Sequence, residues 1–359
     1  MTRILIINGF RRGSSGDVIA QSFARKFGDS ELDPIVIRSE HPSRGSWNFI
    51  RSVHYIFSEC VLFFRLSRII RRNRVSMIQV HSFLDCLRVI PVSFLNKKPL
   101  VWVVQEWLPL RRLPRFFFAF LSKFVFRFLA VSRYVARDIR ILGVPRHKIQ
   151  QVPVGVFTSD RDEFDRAAFK KVLGVSRDEL AVALVVKGVN RHIFESLKQA
   201  IQLVFMQFEH VKIFIFSDGE KELHPKIQII ESERNVAEVL KGADILVHLG
   251  VREPFPLEIV EAMAAGVAVV ANRSGAISEI VVDRRTGIIV PPQDARSLAK
   301  AITELLSDAP LREQMGREGR KQVLQHFRVE DQLRIMNAVF QQAKSRILHE
   351  NPSHQRKSE

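Results

Sequence analysis

The sequence predicts an α/β fold of two domains, each built on a parallel sheet covered by helices. Three observations carry this reading. The chain has 359 residues, too many for one ordinary core and enough for two. Short apolar runs alternate with amphipathic stretches, the pattern of strands and helices around a parallel sheet. The pattern breaks at polar residues 159–165 and then starts again.

The elements follow in order. Residues 4–8 read as a buried strand and 9–16 as a turn-rich loop. A helix follows, with Val18, Ile19, Phe23 and Phe27 on one face. Residues 34–38 form a second strand. Residues 55–72 read as a helix with Leu62, Leu66 and Ile69 toward a core and Arg65, Arg68 and Arg72 on another face. Runs 76–81 and 100–105 read as buried strands. Residues 116–128 read as a helix with Lys123 and Arg127 one turn apart, and 129–132 as a strand. Ser132 is placed to cap the next helix, which ends near Gly143. Residues 148–153 form the last strand of this half. Beyond the break, strands are expected at 181–186, 212–216, 245–249, 267–271 and 287–290. Helices are expected at 194–208, 236–241, 258–265, 297–306, 311–326 and about 330–347. The resulting organisation is a first domain over 1–157, a linker over 158–178 and a second domain over 179–328. A C-terminal helix over 329–348 is expected to pack back toward the first domain, and 349–359 reads as a disordered tail.

Composition narrows the class. Hydrophobic residues make up 46% and charged residues 26%, an ordinary globular balance. Cys60 and Cys86 are the only cysteines, so a disulfide framework is excluded and a reducing, cytoplasmic compartment is expected. The first apolar run is too short for a signal peptide and has its arginines on the wrong side. No uncharged apolar run reaches the roughly 18 residues of a membrane span. The net charge of +17 is unevenly placed: residues 1–157 hold 26 Lys and Arg against 9 Asp and Glu, while the remainder is balanced at 29 each. That half also holds 17 of the 27 Phe. Basic, Phe-rich helices suit an anionic membrane surface, and peripheral attachment to the inner face is expected. The same residues also fit a packed core with solvated cations. Nucleic acid is not expected as a partner, since no helix-turn-helix, RNP or zinc signature is present.

One segment carries the chemistry. In Glu253-Pro-Phe-Pro-Leu-Glu-Ile-Val-Glu261-Ala-Met-Ala-Ala-Gly266, Pro254 and Pro256 hold an extended turn, so helix begins at about Leu257. The free N–H groups at that helix end suit a phosphate. Pro256 has no N–H, leaving the amides of Leu257 and Glu258. Glu253 and Glu261 flank this end as acceptors for vicinal hydroxyls, while Glu258 reads as a solvated residue favouring the helix dipole. Gly266 suits the helix stop. Asp160-Arg-Asp162 lies in the linker and reads as solvated charge. No HExxH or CxxC indicates a metal.

The Glu-x7-Glu run, with 269–281, 286–294, 130–134 and 148–156, is similar to the signature words of the family 4 retaining glycosyltransferases. The resemblance extends over about 4–347 and is strongest over 243–294. It implies a GT-B fold, two Rossmann-like domains with a cleft between them. It also implies a metal-independent hexosyltransferase that takes sugar from a UDP- or GDP-linked donor without another cofactor. Glu261 would bind the donor ribose, Glu253 the transferred sugar, and the backbone at Phe255, Pro256 and Leu257 would approach the sugar and diphosphate. Lys187 and Arg191 are the proposed clamp on the leaving diphosphate, with the amides at Ser15 and Gly16 facing it from the first domain. His81 and Gln105 are candidate sugar or acceptor contacts, Gln105-Glu106 standing where the family often has His-Asp. Val154-Gly-Val-Phe157 and the 220–234 segment also depart from the family pattern. A glycan or lipid-linked acceptor is implied for the first domain, in cell-envelope polysaccharide or glycolipid assembly. A chain that keeps this fold as a binding or partner subunit, without transfer, is the alternative.

Overall fold

A computed structural model describes residues 2–8, 32–38, 49–106, 108, 115–156, 166–176, 178–188, 190–217, 227–229 and 236–350. The loop at 9–16 with Ser15 and Gly16, the helix carrying Val18 to Phe27, the linker at 159–165, most of 220–234 and the tail lie outside these residues. The chain divides into two compact units, 1–153 with 332–359, and 154–331.

The first unit holds β1 (Thr2–Asn8), β2 (Leu32–Arg38), α1 (Phe49–Arg72), β3 (Met77–Val80), α2 (Phe83–Leu95), β4 (Leu100–Val104), α3 (Arg115–Leu121), β5 (Arg127–Ala130), α4 (Arg133–Ile141) and β6 (Ile149–Gln151). Its six strands are all parallel, in the order β2-β1-β3-β4-β5-β6. Strands β3 and β4 are buried at every position, as continuous apolar runs in a two-sided sheet should be. Ser132 caps α4, accepting from the Val135 amide at 3.2 Å.

Two sequence readings are corrected in this unit. Helix α2 was not foreseen. Ser82 caps it through the Asp85 amide, and Cys86, Val89 and Val92 bury one face, but the internal Pro91 masks the helical pattern. The expected helix over 116–128 stops at Leu121. The Phe126 amide donates to the Leu100 carbonyl at 2.7 Å and opens β5 beside β4. Lys123 therefore stands in a turn and Arg127 on a strand, not one helical turn apart. The competing demand is burial of Phe128, Leu129 and Ala130 in the sheet.

The second unit holds α5 (Arg166–Val172), β7 (Leu180–Lys187), α6 (Arg191–Phe205), β8 (Val211–Ser217), β9 (Ile227–Ile229), α7 (Val236–Gly242), β10 (Ile245–Gly250), α8 (Leu257–Ala264), β11 (Ala268–Asn272), α9 (Ile277–Ile280), β12 (Gly287–Val290), α10 (Ala295–Ser307) and α11 (Ala309–His326). Its parallel strands run β12-β11-β10-β7-β8-β9. Leu184 and Val247 on the sheet, Leu197 on α6 and Ile302 on α10 share one buried cluster. Asn190, Asp294 and Asp308 cap α6, α10 and α11. The last helix, α12 (Val329–Glu350), leaves this unit at Asp331 and continues in the first, where Met336, Phe340 and Ala343 are buried.

Gly155 marks a close backbone approach before α12. A Cβ there would lie 2.5 Å from the Arg328 carbonyl oxygen and from Val329 Cα. Next door, the Val156 amide bonds to the Phe327 carbonyl at 2.9 Å. Gly155→Ala is expected to cost about 1–3 kcal/mol, the usual penalty of overpacking. A urea-unfolding midpoint equal to that of the native chain would contradict it.

Candidate active site

In the second unit the strand order reverses between β7 and β10, and ligands in such sheets bind outside the carboxyl ends of the strands at that point. Lys187 ends β7 and Gly250 ends β10, and the two residues face each other in register. The loop from Val251 to Pro256 leaves this point and enters α8. Pro256 is the N-cap and contributes no side-chain cap, so helix begins at Leu257 as the sequence indicates.

The loop is pinned by the segment that follows β11. Asn272 holds Gly250 with two bonds of 3.0 Å, Oδ1 accepting from its N–H and Nδ2 donating to its carbonyl. Ser274 Oγ accepts from the Arg252 amide at 2.8 Å, and the Ala276 amide donates to the Glu253 carbonyl at 2.9 Å. Arg252 takes a left-handed φ of 53°, a conformation that persists only where surrounding contacts enforce it. Gly250 leaves room for Glu253: a Cβ at this glycine would sit 2.5 Å from Glu253 Cγ and 3.2 Å from His248 Cε1. Glu253 therefore folds over the end of β10 beside His248.

The polar core of the site is Lys187, Glu258 and His248. Lys187 Nζ donates to Glu258 Oε1 in a tight ion pair. Glu258 Oε2 lies 3.8 Å from His248 Nε2. Burial pushes the Glu258 carboxyl up, but Lys187 and then His248 outweigh it and hold the group below the usual carboxylate range. Burial also lowers His248 to about 4 despite attraction from Glu258, so the imidazole is neutral at neutral pH. The reading of Glu258 as solvated is thus corrected: it is buried, and its carboxylate also accepts from its own backbone N–H. That amide, assigned to a phosphate, already faces an anion. Glu258 occupies the position of a bound anion between a lysine and a helix end.

Glu261 lies one turn further along α8, on the face of Glu258. Burial, then repulsion by Glu258, raises its carboxyl to about 8 against a smaller pull from Lys187. An acid with a raised folded pKa binds more protons folded than unfolded. Stability from this group is therefore full below the unfolded carboxyl range of about 4.3 and is lost as pH rises toward 8. The Tm difference between the native chain and Glu261→Gln should shrink or reverse from pH 5 to pH 8. A pH-independent difference would refute the assignment.

Arg191, the other proposed clamp residue, is exposed at the first position of α6, so the structure brings Lys187 but not Arg191 to Glu258. Phe255 and Leu257 are buried around the turn, with Phe255 packed edge-on to Phe327 at 6.0 Å.

In the first unit the strand order reverses between β1 and β3, and His81 follows β3 directly. His81 is fully buried, 2.7 Å from Gln79 Nε2, and burial lowers it to about 3 against a hydrogen bond from Gln105. The two candidate contacts are thus brought together beneath the surface. Glu106 accepts from the Phe83 amide. Burial raises its carboxyl to about 7, offset by that bond and reinforced by nearby Asp85. Sequence reasoning assigned no role to His248, Asn272, Ser274 or Gly275. Asn272, Ser274 and Gly275 stand in the 269–281 word, whose family likeness was the available signal.

Two Rossmann-like units of parallel sheet, one with a lysine and a helix end meeting at its switch point, define the GT-B class. Two family models divide the chain: Glycosyltransferase Family 4 matches residues 11–160, and Glycosyl transferases group 1 matches 186–322. The chain belongs to this family 4, group 1 lineage of glycosyltransferases. It is 28% identical over 214 residues to the N-acetyl-alpha-D-glucosaminyl L-malate synthase of Bacillus anthracis, covering 56% of this chain and 55% of that protein. The match to the lipopolysaccharide core mannosyltransferase LpsB of Rhizobium meliloti is 29% over 121 residues, 33% of this chain and 34% of LpsB. The chain thus spans about half the length of the first of these relatives, and less of the second. Among solved structures, Anabaena HepE, crystallised with UDP and glucose, superposes with a TM-score of 0.74 at 14% identity, over 94% of this chain and 99% of HepE. A Rickettsia africae glycosyltransferase gives 0.75 at 17% identity, over 95% and 98%. At these identities the likeness is one of fold.

Proposed function

We propose that the chain transfers a sugar, with retention of configuration, from a UDP- or GDP-linked donor to a glycan or lipid-linked acceptor. The observation that carries this reading is the meeting of Lys187, the α8 N-terminus and the flanking Glu253 and Glu261 at one switch point. Departure of a nucleoside diphosphate needs stabilisation of developing negative charge, which a lysine and helix amides supply without a metal. Glu261 accepts from the ribose hydroxyls and Glu253 from the sugar. The acceptor hydroxyl gives its proton to the departing phosphate on the same face, so no enzyme nucleophile is required. The donor phosphate takes the place of the Glu258 carboxylate at Lys187. Complexes of HepE with UDP-glucose support a nucleotide-sugar donor, and LpsB supports an envelope glycan as acceptor. The basic first half supports work at the cytoplasmic face of an anionic membrane. No helix among the described residues is long and apolar enough to cross one.

One observation favours the second reading, a chain that keeps the fold without transfer: Glu258 already neutralises Lys187. A thermal-shift and hydrolysis screen across UDP- and GDP-sugars separates the two. Transfer predicts stabilisation by one donor and its slow hydrolysis, with hydrolysis abolished in Glu253→Ala and both lost in Glu261→Ala. Stabilisation without hydrolysis favours the second reading, and no stabilisation by any donor ends the transferase reading.

A further inference from the structure

The first unit has a cavity of about 510 Å³ at the amino ends of β4 and β5, formed by the turn after α2, the turn after α3 and the last turns of α12. Four cations line it, Lys97, Lys98, Lys123 and Arg346, and no carboxylate among the described residues does. Ligands of a parallel α/β sheet bind at the carboxyl ends of the strands, where His81 and Gln105 lie. Lys98 and Gln105 bracket β4, and at ~3.3 Å per residue the two edges stand about 20 Å apart. This cavity therefore belongs to neither predicted substrate.

Its rim is aromatic as well as basic. Phe94, Phe124 and Phe120 form a continuous edge-to-face row, with ring centroids 6.1 and 5.3 Å apart. Phe94 is 67% and Phe120 54% exposed. Phe126 lies between Arg127 and Arg346, which stand 5.5 and 5.8 Å from its ring, and Lys123 stands 5.9 Å from the Phe120 ring. The Lys97–Lys98 turn is rigid: the Lys98 amide bonds to the Ser93 carbonyl at 2.9 Å, and Ser93 Oγ donates to the Lys98 carbonyl at 2.7 Å. Four like charges gathered around one cavity favour an anion between them. Exposed Phe gain nothing from a soluble anion but bury their rings at the headgroup–acyl boundary of a bilayer. A small phosphate leaves a cavity of this size and its aromatic rim unused.

We infer that this cavity is an anionic phospholipid site, taking a lipid phosphate between Lys97, Lys98, Lys123 and Arg346 while Phe94 and Phe120 enter the bilayer surface. The inference deepens the membrane-surface reading and rests on it. It docks the first unit through the sheet edge remote from His81 and Gln105, so that the predicted acceptor edge stays free of the anchoring lipid.

The test is co-sedimentation of the full chain with vesicles of phosphatidylcholine, with and without phosphatidylglycerol. Binding to the mixed vesicles alone is expected. Removing a surface cation costs about 1 kcal/mol at an anionic membrane, or about fivefold in partition. Lys97→Gln/Lys123→Gln/Arg346→Gln should therefore weaken binding on the order of 100-fold. Phe94→Ser/Phe120→Ser should weaken it even toward fully anionic vesicles. Lys171→Gln/Lys300→Gln/Lys321→Gln, which removes equal charge from exposed positions of the second unit, should bind as the native chain does. Equal weakening by that control shows an undirected charge effect and overturns the site while leaving membrane association intact. Native binding by the pocket variants does the same. Failure of the native chain to bind mixed vesicles ends both the site and the membrane reading, as does cavity-dependent binding of duplex DNA in its place.

Discussion

Lys187→Ala is expected to destabilise the second unit by about 3–5 kcal/mol, the cost of stranding a buried charge, and to abolish stabilisation by any nucleotide. The stranded group is Glu258. In the native chain its lowered pKa contributes stability that is present at neutral pH and lost as pH falls through its folded value. Without Lys187 burial dominates, and the carboxyl takes up a proton far more readily. The deficit of Lys187→Ala relative to the native chain should therefore narrow from pH 8 to pH 5. Adding Glu258→Ala removes the stranded charge and should restore much of the lost stability, because an empty site is cheaper than a half-filled ion pair. It should not restore nucleotide binding, since the cation remains absent. Urea unfolding at both pH values and calorimetric titration with UDP and GDP check these results. Equal midpoints for Lys187→Ala and the native chain would mean that the pair contributes nothing.

Gly275→Ala should reduce transfer by about 100-fold, the scale on which a displacement of about 1 Å at a reacting centre acts. A Cβ at Gly275 would overlap the Glu253 carbonyl oxygen and sit 2.6 Å from the Glu253 nitrogen. Neither atom can yield as a flexible side chain would. The loop must move, breaking the bond from the Ala276 amide and carrying the Glu253 carboxylate with it. The left-handed φ of 52° adds strain of its own. Gly188→Ala isolates that second contribution, since Gly188 has a φ of 59° but open space where a Cβ would stand. It should cost about 1 kcal/mol of stability and none of the loop displacement. Similar losses of transfer in the two variants would mean that strain, not the clash at Glu253, governs the effect.

The central strands were legible because they are continuous apolar runs, whereas the edge strand β9, Ile-Gln-Ile, is too short and mixed to show itself and was not foreseen. Strand β12 lies where the pattern places it, and β7 and β10 extend it by a residue at one end or both. The helix start at Leu257 was legible because Pro254 and Pro256 restrict the backbone locally. What failed was settled by distant partners. The Phe-rich run after 115 has helical composition throughout, yet β4 recruits its last part into the sheet. Glu258 sits at a helix start, where a solvated carboxylate is ordinary. Its burial follows from Lys187, which is 71 residues away in sequence and reaches it only because β7 and β10 pair in register. Asn272 shows the same limit: its side chain serves a backbone 22 residues earlier.

The clasp between the two loops has a consequence for how such a site can change. Asn272, Ser274 and Ala276 meet the 250–253 segment through its backbone groups. At Arg252 it is the backbone amide that Ser274 holds. A rim built in this way holds its main chain through backbone bonds rather than through the side chains it displays. Residues at 252 that tolerate its left-handed φ can be tried one at a time, on a frame that does not have to be rebuilt for each.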